Sequence, residues 1–157
     1  MYILNQLKWF FSFMPEIKAI HRGMVKAIPV IMLGSFALLL MTLPIPAYQS
    51  FVSTFASGIF LSIFTFINNA TLGILSLYIT MAIAYSYAQE KSSSHIVESV
   101  ITSIASFAIL TGTLQQGFSI EHYGVTAVFT AIVSAITSTK IFIAVEKQIF
   151  FKIKFNL

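Results

Sequence analysis

No cysteine occurs in the 157 residues, which excludes disulfides and thiolate metal sites and leaves the redox compartment unreadable. Charge is almost as scarce. Only 9% of residues are charged, where soluble domains carry about a quarter. From Ala27 through Gln89 there is no Asp, Glu, Lys, Arg or His at all, and a water-soluble domain of this size cannot keep so long an uncharged run away from water. At roughly 20 residues per crossing, that run has room for about three membrane helices. In place of charge the chain is 57% hydrophobic, with a mean hydropathy of +0.89. These features specify an integral membrane protein of the all-α class. The net charge of +4 comes from basic residues near the two ends, where they set orientation or touch anionic lipid; no nucleic acid is implied.

The apolar pattern divides the chain into an interfacial segment, a membrane domain and a basic tail, at 1–24, 25–146 and 147–157. In the first, Ile3, Leu4, Leu7, Phe10, Phe11 and Met14 share one helical face. Trp9 and Lys8 suit a headgroup boundary, so a helix lying in the interface is expected, punctuated by Pro15; the alternative is an unstructured tail. The segment is too long before its first apolar run, and lacks the small-residue site, to read as a cleaved signal peptide.

About five crossings follow. The first is Ala27–Leu43, with Pro29 in its first turn, a Gly34-Ser35 step that admits a neighbouring helix, and "LPIPAYQS" as its exit. The second and third are Phe51–Ile67 and Thr71–Ala88, with Asn68 and Asn69 marking a turn between them. "QEKSSSHIVES" is the first aqueous loop. The fourth helix is Ile96–Leu114, then comes the polar loop "QQGFSIEHYG", and the fifth is Val125–Val145, where Lys140 has the reach to snorkel to the interface. On the fifth, Ala127, Ala131, Ala135 and Thr139 recur every four residues beside Thr126, Thr130, Ser134 and Ser138. That broad small face is built for helix–helix contact, with a hydroxyl-lined ligand face as the alternative.

Lys8, Lys18, Arg22 and Lys26 precede the first crossing and place the amino terminus in the cytoplasm. Five crossings then put Lys147, Lys152 and Lys154 outside, against the same rule. Either one segment does not fully cross, or these lysines lie on an interfacial segment, or later helices of a longer chain dominate the topology.

Reactive groups are few. His21, His95 and His122 have no partners at metal-ligand spacing, and the adjacent Glu121-His122 points two ways on a helix, so no metal site is expected. Ser92-Ser93-Ser94-His95 lacks nucleophile-elbow glycines and a nearby acid. No phosphate-cradling loop or cofactor motif occurs. Glu98 and Lys140, the ionisable groups inside apolar segments, both fall near predicted helix ends, so no solute path is legible. No catalytic, cofactor-binding or metal residue is predicted, and substrate-binding residues stay unassigned.

The stretch "AIHRGMVKAIPVIMLGSFALLL" resembles the first membrane segment of the sugar permease subunit, component IIC, of the bacterial phosphotransferase system, in its lactose/cellobiose branch. Arg22-Gly23, Pro29 and Gly34-Ser35 match its pattern of basic-Gly turn, proline and Gly-Ser step. "LPIPAYQSF", "NNATLGILSLYITMAIAYSYA" and "SIASFAIL" are similar to the following turn, third helix and fourth helix. The resemblance implies a bacterial inner-membrane protein whose amino-terminal half forms a homodimer interface and works with IIA and IIB subunits. It also implies a sugar site in the other half; no residue here matches that motif. Three readings stay open: the amino-terminal part of a permease, a permease-like module from a protein fused to a cyclic-di-GMP phosphodiesterase domain, or a small membrane scaffold.

Overall fold

The computed structural model describes residues 2–55, 58–114 and 120–155, with side chains described for 15–50, 58, 59, 61–112 and 122–148. Among them there is helix and no strand. Helix α1 spans Tyr2–Thr42, α2 Pro46–Phe55 and α3 Ile59–Thr71. A 3-10 turn, Leu72–Ile74, joins α3 to α4, Leu75–Glu90. Helix α5 is Ile96–Leu114; two short 3-10 turns, Ile120–Tyr123 and Val125–Ala127, lead into α6, Val128–Phe155.

Small residues decide how α1 packs. Glu16, Ala19, Gly23, Ala27, Gly34 and Ala37 are buried at spacings of three, four or seven, which is one helical stripe. Gly23 lies so close to α4 that an added Cβ would sit 2.7 Å from the Ile83 Cα, and at Gly34 it would meet Thr71 and lie 2.6 Å from the Leu72 Cγ. Bilayer lipid gives apolar helices no hydrophobic reason to associate, so close backbone approach of this kind supplies the attraction. The contacts run Arg22 to Glu90, Lys26 to Ser86, Gly34 to Thr71 and Met41 to Thr65. One index rises as the other falls, so α3 and α4 form a single antiparallel rod along α1.

Helix α4 packs on α1, α5 and α6 and buries most of its circumference, from Leu75 and Ser76 to Tyr87 and Ala88, with Tyr85 left exposed. A helix without a polar face belongs in such a place. Leu75, Ile79 and Ile83 meet Phe107 of α5, Ala127 of the turn before α6, and Ala131 and Ala135 of α6 in one core, and Phe107 stands edge-on to Tyr123 with ring centroids 5.6 Å apart. Ser76 contacts the Tyr123 carbonyl at the start of α6, while Tyr87 packs with Ile143 near its end. Helices α4 and α6 therefore run parallel, and α1 and α5 run opposite to both.

The all-α membrane class holds, and α5 has the predicted bounds, but the helix count differs. The described residues hold three helical stretches long and apolar enough to cross a membrane, Pro15–Thr42, Leu61–Glu90 and Val125–Gln148, plus the shorter Ile96–Gly112. The predicted second and third crossings are not separated by a turn: Asn68 and Asn69 lie inside α3, within the 30-residue stretch. Packing of Gly34 against Thr71 and Leu72 holds that rod together where local polarity suggests a break. Chain reversal occurs earlier, where Gly58 takes φ 77°, a left-handed conformation strained for other residues.

Pro15 and Pro29 both lie inside α1, so neither ends nor begins a helix. Pro29 sits on the exposed side, and the membrane setting tolerates the missing N–H that would otherwise cost about 3 kcal/mol. No helix end falls near residues 24/25 or 146/147, since α1 and α6 run through both. The side chains of Ile3, Leu4, Leu7, Lys8, Trp9, Phe10, Phe11 and Met14, and of Lys152 and Lys154, lie outside the described set, as do residues 115–119 of the polar loop.

Four antiparallel segments in place of five return the carboxyl-terminal end of α6 to the side where the described part of α1 begins. Lys147 then stands at the same end as Lys18, Arg22 and Lys26, and the conflict with the charge rule disappears.

Candidate functional site

The polar groups of the bundle gather at that shared end. Glu16 of α1 is 7% exposed; its Oε1 accepts from Lys140 Nζ of α6 and from Tyr87 Oη of α4, each at 3.2 Å. The other oxygen, Oε2, is buried with no hydrogen-bond partner. One carboxylate thus pins three helices. A turn further in sequence, Arg22 Nη1 donates to Glu90 Oε2 at 2.6 Å, and Lys26 Nζ donates to Ser86 Oγ at 3.0 Å. The loop after α4 is anchored by Glu146 of α6, which accepts from the Ser93 hydroxyl at 2.7 Å and the Ser94 N–H at 3.3 Å.

The predicted residues fall as follows. Glu98 is exposed and pairs with His95 at 3.2 Å in the first turn of α5. Lys140 is not near a helix end, because α6 continues to Phe155, and it pairs with Glu16. His21 is exposed beside Arg22. His122 lies in the turn before α6, with a buried Nδ1 that has no partner, and Glu121 has no described side chain. In the same turn, burial raises the pKa of the Tyr123 phenol. Among the described residues no three His or Glu side chains converge as metal ligands. The serine loop does have an acid beside it, Glu146, which sequence distance concealed; the His95 ring is turned to Glu98, and Ser93 donates to Glu146.

The small face of the last helix packs inside the chain. Ala131, Ala135 and Thr139 are fully buried, and Ala127 nearly so. Ser138 and Thr139 meet Ser103 of α5 at 2.8 and 2.9 Å. Ser103 lies 2.9 Å from the Ser99 carbonyl, and Ser138 2.6 Å from that of Ser134. These hydroxyls bind each other and helix carbonyls. Beside them a shallow groove of about 430 Å³ between α5 and α6 is lined by Ile109, Leu110, Val133 and Ile141 as well as hydroxyls. Chemically, the whole arrangement packs helices and holds charge at one end.

Sequence comparison fits this geometry. The family described as phosphotransferase system, EIIC, matches residues 21–157. The chain is 26% identical over 152 residues to the lichenan permease IIC component of Bacillus subtilis (strain 168), covering 87% of this chain and 33% of the relative. It is 25% identical over 141 residues to the cellobiose-specific EIIC component of Geobacillus stearothermophilus, covering 81% and 31%. It spans about a third of the length of the curated relatives it matches, and no solved structure matches it. An antiparallel bundle of apolar helices with its charge gathered at one end, matched by the family model from residue 21 to 157, makes the chain a member of the phosphotransferase-system EIIC family.

Proposed function

We propose that the chain is the dimer-forming, amino-terminal membrane half of a phosphotransferase carbohydrate permease, which holds the subunit in the bacterial inner membrane while sugar is bound in the other half. What supports this is that the ion pairs and the hydroxyl contacts between α5 and α6 among the described residues join helices of the bundle or lie at its charged end. The relatives' names make lichenan and cellobiose the first substrates to test. Deleting the coding sequence from its host should abolish uptake of such sugars, and unchanged uptake would remove the transport reading. The purified chain alone should not bind cellobiose; saturable binding would place a sugar site here after all.

In this reading the charged end is cytoplasmic and meets IIA and IIB subunits, residues 1–24 lie at the interface ahead of the 25–146 membrane domain, and 147–157 form a basic interfacial tail. The native lack of cysteine gives a clean test of orientation. A membrane-impermeant maleimide should label Val125→Cys in intact cells and Ser94→Cys only after permeabilisation; the reverse pattern sinks it. Since the small face of α6 is buried within the chain, the dimer forms through exposed faces such as that of Met32 and Phe36. A wild-type chain that stays monomeric in bilayers under crosslinking would remove the dimer. The likeness of "LPIPAYQSF" to permease-like modules of cyclic-di-GMP phosphodiesterases favours a sensor as the second reading, with a fused signalling domain as partner.

A further inference from the structure

Lys18, Arg22 and Lys26 lie four residues apart on α1, each exposed, about 6 Å from rung to rung. Arg22 has a carboxylate partner, Glu90 at 2.6 Å. Lys26 does not. Its Nζ donates to Ser86 Oγ at 3.0 Å and lies 4.2 Å from the centroid of the Tyr85 ring. Neither group carries a formal negative charge. Among the described residues no carboxylate pairs with Lys26, whereas Lys140 of α6 has Glu16. Arg22, Lys26 and Glu90 together leave one uncompensated positive charge between α1 and α4.

Lys26 is also the last charged residue before the uncharged run that begins at Ala27. On its face of α1, three and seven residues further on, Pro29 and Leu33 are exposed, Leu33 to 55%, so the site faces lipid. Tyr85 is 42% exposed, and tyrosine collects at headgroup depth because one end of its ring is apolar and the other polar. Among the described residues the protein supplies no anion here, but a bilayer can. We propose that Arg22, Lys26, Tyr85 and Ser86 bind the phosphodiester of an anionic phospholipid, with an acyl chain running along Leu33. The phosphodiester carries one negative charge, matching the surplus. Its non-bridging oxygens accept from the two ammonium protons of Lys26 that Ser86 does not take, and from the guanidinium N–H groups of Arg22 not facing Glu90.

The test uses the purified full chain in a nonionic detergent, with phosphatidylglycerol, phosphatidylcholine or inorganic phosphate added. Bound lipid is counted by native mass spectrometry and Tm is read in parallel. Phosphatidylglycerol should be retained in preference to phosphatidylcholine and should raise Tm. Lys26→Gln should bind it about tenfold more weakly or worse and lose the rise, while Lys147→Gln, on α6, should keep both. Tyr85→Leu, the second variant, should weaken retention several-fold. Equal retention by wild type and both site variants would overturn the proposal, as would equal retention of the two lipids. A Lys26-dependent rise given as fully by inorganic phosphate would assign the site to a free anion and overturn the lipid.

Discussion

The two helical hairpins of this protein solve one problem with different chemistry. Where α1 meets the α3–α4 rod, the middle of the contact is made by absent side chains: Gly23 and Gly34, flanked by Ala19, Ala27 and Ala37, let the backbones close up. Where α5 meets α6, Ser103, Ser138 and Thr139 make hydrogen bonds at 2.8 and 2.9 Å. In lipid both routes give association, the first through dispersion at close range and the second through polar contact. They differ in tolerance. The glycine contacts have little slack, because Gly23 faces the Ile83 backbone and Gly34 the side chains of Thr71 and Leu72 at close range, while a hydroxyl network can lose one member and re-pair with a helix carbonyl.

That difference ranks the expected effects of substitution. Gly34→Leu should be the most damaging, since the added side chain meets Thr71 and Leu72 in the helix opposite; we expect loss of folded protein in detergent extracts. The gentler Gly23→Ala places its Cβ 2.7 Å from the Ile83 Cα and should still lower stability by about 1–3 kcal/mol, read as a fall in Tm. A Gly23→Ala variant as stable as wild type would break the claim that this hairpin has little slack.

Ala131→Leu comes next. It overpacks the core beneath α4 and should cost about 1–3 kcal/mol, weakening the fold while membrane insertion, measured by resistance to alkaline carbonate, persists. Any loss of crosslinked dimer should follow the loss of fold. Ser103→Ala should cost less, on the order of 0.6 kcal/mol and not above about 1.7; a larger loss would show that the hydroxyl hairpin is as brittle as the glycine one. The smallest effect belongs to Glu98→Gln, whose exposed pair with His95 should leave Tm unchanged.

The lipid solvent of the chain was legible from the uncharged run after Ala27, and α5 was legible from Ile96 to Leu114 because a polar loop with a serine run precedes it. The alanine repeat of α6 correctly announced a packing face. Asn68 and Asn69 misled because local rules weigh two amides as a boundary, whereas the α3–α4 rod is held by contacts with α1 from 24 to 68 residues away in sequence. Pro15 and Pro29 misled for the same reason. The missed cluster, Glu16 with Tyr87 and Lys140, had one local trace: Glu16 stands in register with Ala19, Gly23 and Ala27 on the small stripe of α1. Its partner Lys140 is 124 residues distant, and no periodicity joins them.

That separation has a consequence for how the protein is made. A ribosome adding about 5–20 residues per second finishes Lys140 roughly 6–25 s after Glu16. Until Lys140 is made, Glu16 lacks its cationic partner, and the bundle lacks the clasp that joins α1 to α6. Of the described helices, the one that leaves the insertion machinery after the others is the one that closes this bundle.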